Sequence, residues 1–183
     1  MEIERVTARK TVFDGKIFEA VVMKADTAHG EAEREVVYHS GGSCVLAFNA
    51  EGKIGLVKQY RIAKGEFLYE LPAGKIEEGE SPAACAAREL REELGWEAET
   101  LDKLATIYPT PGYSSEAIHI FMTKQIRECE QDLDEGEELE VILMPFEEAL
   151  EKVLDGEIKD GKTVVGILKA SVLMQRDQAE NAG

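Results

Sequence analysis

The chain has 183 residues, of which 44% are hydrophobic, and its formal net charge is −16 at pH 7. This size and apolar content suit one well-packed domain with at most a small appendage. The acidic balance disfavours binding to nucleic acid or to an anionic membrane surface, and no apolar run is long enough to span a membrane. The three cysteines follow no disulfide or metal-binding pattern, which predicts free thiols and a cytoplasmic protein; they are Cys44, Cys85 and Cys129.

The first segment with strand-like apolar content covers residues 8–39. Turn signals at Asp14-Gly15 and His29-Gly30 divide it into three short predicted strands. Because such a sheet buries little surface alone, we expect it to pack on the main domain or on another subunit. Gly41-Gly42 marks the end of this segment. The sequence therefore predicts an N-terminal β-sheet subdomain over residues 1–40 and a main domain over residues 41–183.

The main domain mixes predicted strands with predicted helices. A hairpin is expected across Glu51-Gly52, and Asp160 is expected to cap the last helix. Strands separated by helices at more than one point in the chain predict the α/β class, with one sheet covered on both faces as an α/β/α sandwich. The predicted strands are 43–49, 53–60, 67–71, 98–108, 116–123 and 138–144, and a helix is predicted over 146–154.

Residues 74–96, here called the box, begin as a loop and continue as a helix. Ser81 is a good N-cap residue, and Pro82 suits the first helical position because its missing N–H has no partner there anyway. Gly95 can adopt the left-handed conformation that ends many helices. These local signals predict a helix that runs from Pro82 to just before Gly95.

The box helix carries clustered glutamates. Glu89 and Glu93 are four residues apart and therefore neighbours on the helix surface, with Glu92 beside them. Like charges at this spacing repel by roughly 0.2–0.5 kcal/mol, a cost that a bound cation would convert into coordination. Carboxylates of this kind favour Mg²⁺, with Mn²⁺ as the alternative. An acidic run alone is more often a solvated helix face, and we expect Glu93 to be exposed.

The complete box pattern resembles the signature box of the Nudix hydrolases at every defined position. At this composition, such a match arises by chance on the order of 10⁻⁵ times per chain. The resemblance implies a Nudix-type α/β/α sandwich with a mixed sheet, and metal-dependent cleavage of a nucleoside diphosphate linked to another group. The defined positions are Gly74, Glu80, Arg88, Glu89, Leu90, Glu92, Glu93, Gly95 and Trp96.

Segments outside the box resemble the ADP-ribose pyrophosphatase branch of that family. The likeness implies hydrolysis of ADP-ribose to AMP and ribose 5-phosphate, and a homodimer in which the N-terminal sheet reaches onto the partner. Ser40 and Ala63 stand where this branch usually has prolines, which weakens the substrate assignment but leaves the reaction class intact. The matching segments are 34–37, 59–61, 70–74, 111–116, 134–138 and 160–163.

The resemblance also assigns roles to individual residues. Arg88 is expected to clamp Glu80, and Glu135 to take a proton from the attacking water, although its acidic stretch could be a solvated loop. Surface salt bridges are the alternative role for the charged substrate candidates. The catalytic candidates are Glu80, Arg88, Glu93 and Glu135. The metal ligands are the Ala73 carbonyl, Glu89, Glu92, Glu93 and Glu137. The substrate contacts are Arg34, Arg61, Glu70, Gly112, Ser114 and Glu116.

Rival functions remain open from the sequence. The chain could hydrolyse another nucleoside diphosphate sugar, such as GDP-mannose. It could also be a sensor that binds a nucleotide sugar without turnover, or an acidic module without a ligand. The complete set of box carboxylates disfavours a sensor, because a protein that only binds need not keep their mutual repulsion.

Overall fold

The computed structural model describes residues 3–133, 136 and 138–181. The chain divides into two compact units: the described part of Met1–Gly41 with Tyr108–Ala117, and Gly42–Ile107 with the described part of Ile118–Gly183. The strands are β1 Arg5–Asp14, β2 Phe18–Thr27, β3 Gly30–His39, β4 Gly42–Ala47, β5 Lys53–Arg61, β6 Glu66–Glu70, β7 Ala73–Lys75, β8 Trp96–Ala98, β9 Asp102–Ile107, β10 Ile118–Thr123, β11 Ile126–Glu128 and β12 Leu139–Pro145. The helices are α1 Pro82–Leu94, α2 Phe146–Leu154 and α3 Gly161–Asn181.

The first unit is built on an antiparallel sheet in the order β1-β2-β3, which confirms the predicted N-terminal sheet. The segment Tyr108–Ala117 belongs to the same unit because it runs along β3. The Val37 N–H donates to the Tyr113 carbonyl at 2.8 Å, and the Ser115 N–H donates to the Val37 carbonyl at 2.9 Å. The predicted 1–40 subdomain leaves this segment out, since a pairing across so much sequence carries no local signal.

The second unit contains a mixed sheet in the order β7-β4-β10-β9, in which β4 and β10 run parallel. Side chains of β4 alternate between its two faces, as a strand requires. Cys44 and Leu46 pack into the core formed with α2 and α3, whereas Val45 and Ala47 pack into the core under α1. The predicted α/β/α sandwich with a mixed sheet is therefore confirmed.

The expected hairpin of residues 43–49 and 53–60 is wrong. β4 lies in the mixed sheet, whereas β5 is the central strand of a separate sheet in the order β12-β5-β6. Between the two segments there is a single bridge, which joins Phe48 to Ile54. β4 and residues 54–57 of β5 are buried, so their apolar runs indicate strands without indicating which partner each one takes.

The box helix α1 begins and ends where the sequence predicts. The Ser81 hydroxyl accepts a hydrogen bond from the Ala84 N–H at 3.2 Å, and Pro82 opens the helix. Gly95 ends it in the left-handed conformation with φ of 65°, while its N–H donates to the Arg91 carbonyl at 2.9 Å. Within the described ranges, no helix has both the length and the apolar character needed to cross a membrane.

Candidate active site

Ala73 and Gly74, at the start of β7, follow a bend at Pro72 and lie against the side chains of α1; the segment 72–74 is here called the turn. A Cβ added to Gly74 would stand 1.7 Å from Glu89 Oε1, so only glycine leaves room for this carboxylate. The Glu89 side chain is therefore packed onto the backbone of the turn, where 8% of the residue's surface remains exposed. The loop glycine and the helix glutamate of the box thus form one contact.

Glu93 makes a second contact between the helix and the turn. Its Oε2 accepts a hydrogen bond from the Ala73 N–H at 2.9 Å. Glu93 is only 3% exposed, so the expectation that it lies exposed on the helix is wrong. The backbone of residues 73–74 covers the helix face that carries Glu89 and Glu93. The pattern of charged residues along the helix does not reveal this cover. Two carboxylates thus converge on the peptide units around Ala73.

Arg88 joins the loop to the helix. Its Nε and Nη2 donate to the two carboxylate oxygens of Glu80 at 3.0 and 3.2 Å, which is the pair that the resemblance implies. Nη1 donates to Glu89 Oε1 at 2.6 Å and to Glu92 Oε2 at 2.8 Å, and Nη2 also reaches the Lys75 carbonyl at 3.2 Å. The guanidinium lowers the pKa of Glu80, and the three carboxylates together raise the pKa of Arg88.

The donor types around Ala73 fit a hard divalent cation, because carboxylates and peptide carbonyls are oxygen ligands. Glu89 and Glu93 are already brought together against the turn, as such a site requires. In the structure, Arg88 donates hydrogen bonds to the Glu89 and Glu92 carboxylate oxygens that a cation would bind. No group of three acidic, thiol or imidazole side chains among the described residues has the arrangement of a formed metal site.

Arg61 and Glu70 lie together in the second unit. Arg61 donates from Nε and Nη2 to the two oxygens of Glu70 at 2.6 and 2.8 Å, and Lys162 Nζ also donates to Glu70 Oε2. Burial alone would raise the pKa of Glu70, but the hydrogen bonds and charges of Arg61 and Lys162 outweigh it and lower that pKa. The pKa of Arg61 is raised chiefly by Glu70, with smaller contributions from the charges of Asp160 and Glu93.

The other predicted substrate contacts belong to the first unit. Arg34 on β3 makes two hydrogen bonds to the Glu4 carboxylate, at 3.0 and 2.7 Å, and both side chains are well exposed. Gly112 lies in the 108–117 segment with open space where a side chain would be. Ser114 Oγ accepts from the Glu116 N–H at 3.1 Å, and Glu116 Oε1 lies 3.7 Å from His39 Nδ1.

The two predicted loop carboxylates, Glu135 and Glu137, lie outside the described residues. The chain just before them is attached to the end of α1. The Gln131 side-chain Nε2 donates to the Glu93 carbonyl at 2.5 Å, and the Asp132 backbone N–H donates to the Glu92 carbonyl at 3.2 Å. The acidic stretch therefore begins beside the box glutamates.

Sequence reasoning missed some residues that contact the site. Lys162 has 10% of its side chain exposed and pairs with Glu70, 92 positions earlier. Only the position of the 160–163 string at the start of a helix pointed to it. Cys85 Sγ lies 3.6 Å from the Gly74 carbonyl and 3.6 Å from Arg88 Nη2. Burial raises the pKa of this thiol to about 11, which agrees with a packing role rather than a nucleophilic one.

Comparison with known proteins decides the family. The NUDIX domain model matches residues 37–164, which include the whole box. This chain belongs to the Nudix family. It is 39% identical to the ADP-ribose pyrophosphatase of Bacillus subtilis (strain 168) over 167 residues, covering 90% of each chain. It is 38% identical to the GDP-mannose pyrophosphatase of Cronobacter sakazakii over 143 residues, covering 73% of this chain and 74% of the relative.

A solved structure described as an ADP compounds hydrolase shares the fold. It superimposes with a TM-score of 0.81 over 97% of both chains, at 19% sequence identity. Membership of the family identifies the chain as a Nudix pyrophosphohydrolase. The contacts among Ala73, Gly74, Glu89 and Glu93 therefore lie within the matched domain, at the box and the residue just before it.

Proposed function

We propose that this Nudix enzyme hydrolyses the diphosphate of ADP-ribose, giving AMP and ribose 5-phosphate. The convergence of Glu89 and Glu93 on the Ala73–Gly74 turn carries this proposal, because it gathers hard oxygen donors beside one peptide unit. Similarity to an ADP-ribose pyrophosphatase over 90% of both chains supports the choice of substrate. Mg²⁺ is the proposed cation, with Mn²⁺ as the alternative.

Water is the nucleophile in the proposed reaction. Its oxygen bonds to one phosphorus, the bridging P–O bond breaks, and two phosphomonoesters form. A bound divalent cation would supply positive charge for the diphosphate oxygens and would acidify water. Glu89, Glu92, Glu93 and the Ala73 carbonyl would hold it. Glu137 completes the proposed ligand set.

The chain's own groups prepare this chemistry. Glu135 is the proposed base that takes the proton from the attacking water. Arg88 keeps the Glu80 loop against α1 through paired hydrogen bonds. Its positive charge also offsets the repulsion between Glu89 and Glu92 before a cation binds. Gly74 leaves room for the Glu89 carboxylate beside the turn.

The substrate contacts remain proposals. Arg61 is the strongest candidate in the second unit, because 44% of its side chain is exposed while Glu70 fixes its guanidinium. Such a held guanidinium suits phosphate or ribose oxygens. Glu70 is proposed to act together with Arg61. The candidates in the first unit are Arg34, Gly112, Ser114 and Glu116.

A panel of nucleoside diphosphate sugars tests the proposal. ADP-ribose should release AMP in the presence of Mg²⁺, and Glu93→Gln should remove most of this turnover, by about 100-fold or more. The variant should fold, since a glutamine oxygen can still accept from the Ala73 N–H. Activity of Glu93→Gln within about threefold of wild type would contradict the metal assignment.

Hydrolysis of another nucleotide sugar is the second candidate, favoured by the similarity to a GDP-mannose pyrophosphatase. A preference for GDP-mannose of about tenfold or more in kcat/KM would replace ADP-ribose as the substrate. A sensor is the third candidate. Calorimetry with ADP-ribose and Mg²⁺ separates it, because binding without release of AMP is the result expected of a sensor alone.

We also propose a cytoplasmic homodimer that binds neither nucleic acid nor membrane. The first unit exposes apolar side chains along and beside β1, with Val12 57%, Phe13 52% and Ile17 61% exposed. A second copy of the chain would cover such a face. Light scattering after gel filtration tests this state, and a mass of 20.2 kDa, that of one chain, would contradict it.

A further inference from the structure

The first turn of α3 is hydrogen-bonded to the link between β6 and β7, which leads into the box. The Thr163 hydroxyl accepts from the backbone N–H of Leu71 at 2.8 Å and donates to Asp160 Oδ2 at 2.6 Å. The Thr163 N–H donates to the same Asp160 oxygen at 3.0 Å. We call this linkage of Leu71, Thr163 and Asp160 the latch. Leu71 and Thr163 are fully buried, so no solvent is available to replace the bond between them.

The chain on either side of the latch is fixed as well. The Glu70 side chain is held by Arg61 and Lys162, and the Pro72 carbonyl accepts from the Val45 N–H at 3.1 Å. The Leu71 side chain packs on α3, where a Cβ added to Gly166 would stand 2.9 Å from Leu71 Cδ1. The segment is therefore attached to α3 and to the mixed sheet immediately before it reaches Ala73.

Ala73 follows the latch by two residues. The residue between them is Pro72, whose ring fixes φ and removes one of the few rotations that could absorb a shift. A displacement of the Leu71 amide is therefore passed to the Ala73 peptide. That peptide donates to Glu93 and adjoins the Gly74–Glu89 contact. A small movement at Leu71 would change the positions of several proposed ligands at once.

We infer that Thr163 and Asp160 are positioning residues for the divalent-cation site. They hold the Leu71 amide, and through Pro72 they set where the Ala73 carbonyl and the Glu93 carboxylate meet a cation. Neither residue touches the cation or the substrate. The inference rests on the proposed function, because it assumes that the Ala73–Glu93 region binds a divalent cation.

Two substitutions at Thr163 test the latch. Thr163→Val keeps the shape but removes the hydroxyl, whereas Thr163→Ser keeps the hydroxyl. Thr123→Val is the matched control, since Thr123 is also buried, at 2% exposure, and its hydroxyl donates at 3.2 Å to Gln125 on a different loop. Cation binding is measured without substrate, from the electron paramagnetic resonance signal of free Mn²⁺. Amide hydrogen exchange at Leu71 is measured by NMR on the same proteins.

Thr163→Val should weaken Mn²⁺ binding by about 10- to 100-fold, because the loss of residues that orient metal ligands typically costs this much affinity. It should also speed exchange of the Leu71 amide, which loses its hydrogen-bond acceptor. Thr163→Ser and Thr123→Val should bind Mn²⁺ within about threefold of wild type. The inference is overturned if Thr163→Val exchanges faster at Leu71 yet binds Mn²⁺ like wild type. It is also overturned if the Leu71 amide stays protected in that variant.

A measurement on the wild-type protein covers the case in which Thr163→Val does not fold. Coupling between two sites is reciprocal, so a cation held by the latched turn must also stabilise the latch. Mg²⁺ should therefore slow exchange at the Leu71 amide more than at the amides of β10. Equal slowing at both places overturns the inference while leaving the cation site intact. A wild-type protein that binds neither Mg²⁺ nor Mn²⁺ overturns the proposed function itself.

Discussion

Gly74 lies so close to the Glu89 carboxylate that any side chain at position 74 would occupy the space of that carboxylate. A Cβ on Gly74 would lie 1.7 Å from Glu89 Oε1 and 2.2 Å from Cδ. Gly74→Ala should push Glu89 out of the turn and weaken Mn²⁺ binding and turnover by about 100-fold. Titration of Mn²⁺ together with steady-state hydrolysis measures both effects.

Gly161→Ala is the matched control for that substitution. Gly161 has open space where the new methyl group would lie, and like Gly74 it does not have a positive φ. The control should keep cation affinity and activity close to wild type and change stability by less than about 1 kcal/mol. If Gly74→Ala binds Mn²⁺ as well as Gly161→Ala does, then the packing of Glu89 against Gly74 does not determine the cation affinity.

Arg88 and Glu80 should be energetically coupled. Their two hydrogen bonds form a partly buried fork, with 27% and 14% of the side chains exposed. A double-mutant cycle of Glu80→Gln and Arg88→Met should give a coupling free energy of about 1–2 kcal/mol in urea unfolding. The cycle removes the separate effects of losing Glu89 and Glu92 as partners of Arg88, since both Arg88 variants lose them alike.

The pair Arg127 and Glu97 provides the comparison. It also forms a charged hydrogen bond, but 75% and 39% of these side chains are exposed. Solvent screening should leave its cycle without measurable coupling. Equal coupling in the two cycles would contradict a clamping role for Arg88 in the box.

The box was predictable because its signals are local. Ser81, Pro82 and Gly95 fix the ends of α1 by capping chemistry that acts within a few residues. The burial of Glu93 was not predictable, because the covering turn comes from the strand before the loop and the helix pattern alone resembles a solvated face. A carboxylate needed by a site can be buried when the backbone itself supplies its hydrogen bond.

Strand partners could not be predicted for a similar reason. The bridge from Phe48 to Ile54 looks like the start of a hairpin, yet β5 pairs with β6 and β12. The choice depends on long-range packing, as does the contact of Lys162 with Glu70 across 92 positions. The resemblance to a known family predicted the overall fold but not these individual contacts.

Glu70 should make stability depend on pH in the acid range. Its pKa is lowered in the folded protein from 4.5, because Arg61 and Lys162 outweigh the opposing effect of burial. A lowered folded pKa means that the carboxylate contributes stability above the unfolded pKa, and this contribution is lost as pH falls through the folded pKa. Glu70→Gln should therefore lower the free energy of unfolding at pH 7 by about 3–5 kcal/mol, since Lys162 stays buried with less compensation.

Urea unfolding of wild type and Glu70→Gln between acid pH and pH 7 checks the direction in which the stability difference changes with pH. The difference between the two proteins should be constant well above pH 4.5 and should shrink on acidification. Glu51→Gln serves as the control, because the Glu51 carboxylate is also paired with a lysine but is 68% exposed. A difference for Glu70→Gln that grows as pH falls would show that burial, and not the cation pair, dominates at this carboxyl group.

Gly95 should be more sensitive to substitution than Gly52, which is also a left-handed glycine. At Gly95 and at Gly52, φ is 65° and 77°, so alanine at either position pays a backbone cost of about 1–2 kcal/mol. Of these two positions, Gly95 alone would also bring the new Cβ against backbone, at 2.8 Å from the Cys129 carbonyl oxygen. That segment cannot move away freely, because the Cys129 N–H donates to the Gly95 carbonyl at 2.7 Å.

Gly95→Ala should therefore destabilise the protein by at least about 1 kcal/mol more than Gly52→Ala in urea unfolding. It should also reduce turnover, whereas Gly52→Ala should not, because Gln131 and Asp132 attach the start of the acidic stretch to the last turn of α1. Displacing Cys129 moves that attachment and, with it, the chain that leads to Glu135. Equal stability and equal activity of the two variants would mean that the stretch finds its position independently of the box helix.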